Sequence, residues 1–318
     1  MKSPPFTPSS TKGLTLIELL VALAISSIVI ALVLPLLLSN QRLVKVDQSR
    51  TAVFQNLRSA MELVGTDVRI AGERLEQRGG PNIMPIEIVK GENGEPDEII
   101  LRRNLLDSVL PVCDSINANS SQNSVKVARK NHPHWEQFCD PEDSRLAEWQ
   151  EYRLKNGVED ENDKKSITAF IYNPISRQGE FFGYNHDDMS KHQIHRASGS
   201  WKYDYDQEEN ENDGSPMLPT LYILEERRYR LNTENNILEL VINGNDEEVK
   251  NIAGEIFDFR VQAVMIDGST VDEISTTSHW RNLKAIKVTL ESQSSVQDET
   301  VQRTISSRFF PRNVMSEM

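Results

Sequence analysis

Leu14-Thr15-Leu16-Ile17-Glu18-Leu19-Leu20 opens a run that stays apolar to Leu38, and its reading decides the architecture behind it. Only Thr15, Glu18, Ser26, Ser27 and Pro35 break the apolar character of residues 14–38. A helix of about 20 apolar residues crosses a bilayer, and this run is longer. A carboxylate inside such a segment costs about 2.5–3.5 kcal/mol on insertion scales, so Glu18 marks a function.

Three readings fit a start of this kind. A cleavable secretory signal would use Ala22-Leu23-Ala24, but the sequence beyond it stays apolar, so cleavage there leaves a greasy new terminus. An uncleaved anchor explains the length and the flanking Lys12, but not the placement of Glu18. Cleavage after Gly13 explains both. It exposes the ammonium of Leu14, one helical turn before Glu18. In hydrocarbon the two charges then neutralise each other, within one chain or between packed neighbours. On this reading an isolated subunit leaves Glu18 poorly paired, and assembly satisfies it.

The junction Lys12, Gly13, Leu14, Thr15, Leu16, Ile17, Glu18, Leu19, Leu20 resembles the class III signal of type IV pilins and type II secretion pseudopilins. The resemblance implies cleavage between Gly13 and Leu14 by a prepilin peptidase, N-methylation of Leu14, and an assembly role for Glu18. The family most often has Phe at the new first position, so Leu14 is a departure. Pro35 stands where the family commonly has a helix-disrupting proline.

Composition adds a compartment. The 318-residue chain carries a formal charge of −13, and loss of residues 1–13 with Lys2 and Lys12 takes it to −15. Such acidity argues against coating nucleic acid and suits an exported, soluble domain. Cys113 and Cys139 are the two cysteines. Outside the cytoplasm they are expected to form a disulfide. His132 and His134 fall between them, but the close Cys-x2-4-Cys spacing of a zinc site is absent.

Beyond the apolar run, residues 14 to about 76 read as one helix, with Pro35 expected to kink or loosen it near 31–35. Leu43, Val46, Val53, Leu57, Met61, Val64, Val68, Ala71 and Leu75 form an amphipathic stripe at helical spacing. Gly79-Gly80-Pro81 is expected to end it. The rest reads as β-rich, with strands at 86–90, 98–103, 124–129, 167–172, 180–184, 221–231, 237–242, 256–266, 283–291 and 300–310. Asn243-Gly244 and Asp267-Gly268 are turn signals. The segments 156–165 and 204–215, dense in Asp, Glu and Asn, read as exposed loops.

The expected fold is α+β: a long amino-terminal helix, hydrophobic in its first half, packed on a β-rich antiparallel domain. Its parts are a leader at 1–13, a membrane and filament-core helix at 14–38, an amphipathic half at 39–78 and an extracytoplasmic domain at 79–318. Residues 57–72, ending Asp67-Val68-Arg69-Ile70-Ala71-Gly72, resemble the helix end of PilW-type minor pilins. The stretches Ile256-Phe257-Asp258-Phe259-Arg260-Val261-Gln262, 283–290 and Ser307-Arg308-Phe309-Phe310-Pro311-Arg312-Asn313 are similar to the carboxyl-terminal part of that group. J-type minor pseudopilins of type II secretion are similar in the same regions.

Signs of enzymatic chemistry are sparse. No G-x-S-x-G elbow, P-loop, H-E-x-x-H or dinucleotide fingerprint occurs. His192-Gln193-Ile194-His195 reads as solvated loop. Asp204, Asp206 and Glu208 begin like a calcium loop, but Glu209 stands where an EF-hand needs glycine, so calcium is a secondary expectation and no other cofactor is expected. Trp135, Trp149, Trp201 and Trp280 read as core or contact residues. Arg227-Arg228-Tyr229-Arg230 follows Glu225-Glu226 and reads as locally charge-paired rather than as a nucleic-acid surface. The resemblance implies a non-enzymatic minor pilin in the inner membrane and then in a filament. Its partners would be the prepilin peptidase and other minor and major pilins. A J-type pseudopilin is the near alternative, and a membrane-anchored periplasmic enzyme or ligand-binding protein the alternative of another class.

Overall fold

A computed structural model describes residues 15–75, 83–131, 138–141, 144–159, 165–209, 214, 216–275, 282–296 and 299–314. Among these, α1 (Leu16–Ile70) is one helix of 55 residues. The strands follow in chain order. The first seven are β1 (Ile86–Val89), β2 (Glu98–Asn104), β3 (Leu110–Pro111), β4 (Ser124–Lys126), β5 (Ile167–Asn173), β6 (Gln178–Asp188) and β7 (Gln193–Arg196), with the helix α2 (Arg145–Lys155) between β4 and β5. Then come β8 (Glu208–Glu209), β9 (Pro216–Met217), β10 (Thr220–Tyr222), β11 (Leu224–Asn232) and β12 (Ile237–Ile242). The last are β13 (Lys250–Ala253), β14 (Ile256–Met265), β15 (Thr270–Val271), β16 (Leu283–Val296) and β17 (Glu299–Phe309). The architecture is the expected α+β one, type IV pilin-like in its long apolar helix and antiparallel sheets.

The chain divides into two compact units. One holds residues up to Val53 together with Ser294–Val301, and the other holds Phe54–Gln293 with the chain from Gln302 onward. In the first unit, α1 runs through Pro35 without a break. Pro35 was expected to kink or loosen the helix near 31–35, and no break occurs there. Proline forfeits one hydrogen bond, and the helix continues on both sides of it. Leu43, expected on the buried stripe, is exposed.

In the second unit, Leu57, Met61, Val64, Val68, Ala71 and Leu75 are buried, as the stripe predicts. The helix stops at Ile70, short of the expected 76. Gly72 adopts φ +82°, a left-handed turn that ends helices, and its N–H donates to Arg102 O at 2.9 Å. Gly79-Gly80-Pro81, the expected terminator, lies outside the described residues.

Among the described residues the strands form four antiparallel sheets, in the orders β1-β2-β11-β12-β13, β3-β10-β5-β6-β7-β4, β15-β14-β16-β17 and β8-β9. The expected strand at 221–231 is two strands. β10 pairs with β3 and β5, while β11 pairs with β2 and β12. At Ile223 the chain changes sheet, and its carbonyl accepts Leu105 N–H instead. One core of buried residues lies under the six-stranded sheet, around Trp149, Trp201, Tyr184 and Tyr205. α2 supplies Trp149 and was not expected. The strand at 193–196 corrects the reading of 192–195 as loop: Ile194 is fully buried, and His186 and His195 are register partners with ring centroids 5.2 Å apart.

Candidate functional site

The site singled out by the sequence is the start of α1. Thr15 precedes the helix, and Glu18 sits in its first turn. Glu18 Oε2 accepts the Thr15 N–H at 2.9 Å and the Thr15 hydroxyl at 2.9 Å. The Glu18 N–H points back at Thr15 Oγ1, at 3.4 Å. This is a reciprocal capping box, in which the side chains of a T-x-x-E tetrad occupy donors that the first helical turn leaves free. It corrects the expectation that Glu18 is poorly paired in an isolated chain. The local sequence already gives the carboxylate two donors. The T-x-x-E tetrad Thr15 to Glu18 is itself the local sequence signal of this cap. Gly13 and Leu14 lie outside the described residues.

Behind this cap, the apolar side chains face outward. Leu16 is 78% exposed and Leu38 still 53%, and those between, such as Leu23, Ile28 and Leu32, are exposed as well. Ser27 turns its hydroxyl onto Leu23 O, so even this polar side chain is satisfied inside the helix. The helix is long and apolar enough to cross a membrane. A surface of this kind requires lipid or other helices around it.

The other expected residues lie in the second unit. Cys113 and Cys139 form a disulfide with Cα atoms 6.0 Å apart, fully buried beside Leu218. Backbone bonds place both: Cys113 N–H donates to Lys126 O, and Arg129 N–H donates to Cys139 O. His132, His134 and Trp135 lie outside the described residues, as does Trp280. Trp149 and Trp201 are fully buried and donate to Ser108 O and Gln122 O, at 3.0 and 2.7 Å.

Asp204, Asp206 and Glu208 do not lie on a simple exposed loop. Asp204 Oδ1 accepts Ala118 N–H at 2.6 Å. Tyr205 is fully buried and bridges to Ile116, and its hydroxyl donates to Glu180 at 3.0 Å. Burial and the neighbouring Glu180 push the Tyr205 phenol up. Glu208 lies in β8. Among the described residues no group of three or more His, Cys, Asp or Glu converges on one point.

The arginine-rich strip of β11 is charge-paired. Arg227 contacts Asp67 at 2.8 Å and Glu225 at 3.1 Å, and Arg230 contacts Glu239 at 3.1 Å and Asp246 at 2.8 Å. Across the sheet, register pairs Glu225 with Arg103 and Glu226 with Arg102. Their side chains meet at 2.6 and 2.7 Å. Arg102 also reaches Glu87 at 2.8 Å. Burial pulls the Arg102 guanidinium down, but Glu226 and Glu87 outweigh it and hold it charged.

Residues 8–34 match the Prokaryotic N-terminal methylation motif. Over 92 residues the chain is 30% identical to the Pilin-like protein PilA3 of Thermus thermophilus. That stretch covers 28% of this chain and 40% of the relative, so the chain spans well under half of the relative's length. No solved structure matches. The chain thus presents a prepilin-type amino terminus on a type IV pilin-like α+β architecture.

Proposed function

We propose that this chain is a PilW-type minor pilin. Its precursor sits in the inner membrane by a single pass, with Lys2 and Lys12 on the cytoplasmic side. A prepilin peptidase cuts between Gly13 and Leu14 and methylates the new terminus. The subunit then joins a filament through its apolar helix, where it primes or caps assembly of a pilus serving adhesion, twitching motility or DNA uptake. The role is structural rather than catalytic and uses no cofactor. The observation that carries this reading is the outward-facing apolar helix with its single capped carboxylate, Glu18, five residues beyond Gly13. The cap alone would serve a lone anchor as well; what the filament reading adds is a carboxylate in an apolar run that a helix bundle can register on.

Mass spectrometry of the mature amino terminus tests the reading. A methylated Leu14 is expected; an intact Met1, or a start far from Leu14, overturns it. Glu18→Ala and Glu18→Val are expected to insert into the membrane yet fail to enter filaments. Normal incorporation of both would remove the role given to the carboxylate.

A further inference from the structure

The second unit contains a groove of about 690 Å³ between the last turns of α1 and β17. One wall is a stripe of α1: Phe54, Arg58, Met61, Glu62, Thr66 and Arg69. The other is β17 around Ile305 to Phe309. Among the described residues β17 ends the order of its sheet, with β16 on one side and no strand on the other. Alternate backbone N–H and C=O groups along such an edge have no ladder partner, which makes it a template for an added strand. The wall from Phe54 to Arg69 is about 22 Å long at 1.5 Å per residue. That length fits about seven residues of extended chain at about 3.3 Å each.

Charge selects the occupant. The chain as a whole is strongly acidic, at −13. Yet residues 302–313 contain Arg303, Arg308 and Arg312 and no carboxylate. Arg69 joins them on the helix wall and stands 5.1 Å over the Phe309 ring. The Arg312 N–H reaches Arg69 O at 3.3 Å, which brings these two residues together at one end of the groove. Arg58 is paired with Glu62 at 3.0 Å. A second copy of the same edge is a poor occupant. Antiparallel self-pairing that sets Ile305 opposite Ser306 sets Arg303 opposite Arg308, and like charges directly opposite are destabilising.

We propose that the groove and the free edge of β17 take an extended, acidic segment of a partner polypeptide, added as an extra antiparallel or parallel strand. Backbone bonds to β17 supply the affinity. Alternate side chains of the guest meet Phe54 and Met61 on one side, while its carboxylates, on the opposite face, meet the exposed Arg308. This contact uses residues 54–69 of α1 but neither the apolar run at 14–38 nor Glu18, so it stands or falls apart from the filament reading above.

The probe is a fluorescent heptapeptide alternating Val or Thr with Glu, titrated by anisotropy against the full chain in nanodiscs. Three companion titrations use the same peptide with alternate backbone amides N-methylated, a Lys-for-Glu peptide, and the Arg308→Glu variant. The acidic peptide is expected to saturate. N-methylation and the Lys exchange are each expected to weaken it by about tenfold or more, the factor that 1.4 kcal/mol represents. The variant is expected to prefer the Lys peptide. The N-methylated arm leaves the protein unaltered, so it stays decisive if the variant folds poorly. Failure of the acidic peptide to saturate by about 1 mM, or binding indifferent to N-methylation, overturns the proposal. So does self-association of the chain that the acidic peptide cannot displace.

Discussion

Arg227 donates from Nη1 to both carboxylate oxygens of Asp67, at 2.8 and 3.0 Å, and so ties β11 to the end of α1 across 160 residues of sequence. The Tyr229 hydroxyl donates to the same carboxylate. Burial, and then Asp67, push the Tyr229 phenol up, so it stays a donor at all ordinary pH. Burial alone would pull the Arg227 guanidinium down, but the Asp67 bond and charge prevail and keep it ionised. The Asp67 side chain is 3% exposed and Arg227 25%.

Asp67→Ala leaves Arg227 and Tyr229 facing a space with no acceptor. Removing one partner of a buried pair costs about 3–5 kcal/mol. Water reaches the partly exposed Arg227 and lowers the expected loss to about 2–3 kcal/mol. The denaturant midpoint of the detergent-solubilised chain measures it. Adding Arg227→Met to Asp67→Ala is expected to recover part of the loss, because the orphaned charge is then gone. A strictly additive double variant would show that the two residues do not act as a pair.

Stability is expected to fall in acid, in part through Glu225. Burial raises its carboxyl, but hydrogen bonds and charge from Arg103 and Arg227 prevail, and the net direction is below the ordinary 4.5. A depressed carboxylate contributes stability above its unfolded pKa and loses it as pH falls through the lower folded value. The window therefore lies below about pH 4.5, and neutral pH is unaffected. Glu225→Gln is expected to flatten the slope of stability against pH in that window. An unchanged slope would assign the acid sensitivity to other carboxylates.

Cys113 and Cys139 close a loop of sequence separation 26. Cross-linking a loop of that size removes unfolded-state entropy equivalent to about 3 kcal/mol. The paired substitution Cys113→Ala/Cys139→Ala is expected to lower the denaturation midpoint accordingly, with the same far-ultraviolet dichroism. Thiol titration of the unfolded, unreduced chain is expected to find none; two free thiols would refute the bridge.

What the sequence revealed and what it hid have separate physical reasons. β12 has the expected bounds, and most other strands lie within a few residues of theirs, because alternation and turn residues are local. Asn243 and Gly244, read as a turn, both adopt positive φ, at 52° and 66°. The α1 stripe was legible from Leu57 to Leu75 for the same reason. α2 was hidden because its buried face includes Arg153. That guanidinium is buried only because Asp187, on β6, meets it at 2.7 Å and Val158 O accepts from it at 2.5 Å. No local pattern announces a charge neutralised 34 residues away. Tyr205 was hidden by the acids around it. At the amino terminus two signals overlap on Glu18, the cost of a carboxylate in lipid and the short-range T-x-x-E cap, and only the second fixes its partners in a single chain.

Gly65 offers the sharpest test of how α1 seats on β17. A Cβ there would lie 2.2 Å from Cε1 of Phe309, closer than real atoms approach. Within a helix, Gly→Ala is ordinarily stabilising by about 1 kcal/mol. Here the ring must move, and it is held by Arg69 at 5.1 Å from its centroid and by its own burial. Overpacking of this kind costs about 1–3 kcal/mol, which opposes and exceeds the helical gain. Gly65→Ala is therefore expected to lower the denaturation midpoint. Phe309→Leu removes the obstructing ring atoms, so Gly65→Ala in that background is expected to become neutral or stabilising. The difference between the two effects is the coupling of residue 65 to the ring. If Gly65→Ala stabilises the chain while Phe309 is intact, the helix does not rest on that ring, and the wall of the groove it forms is misplaced.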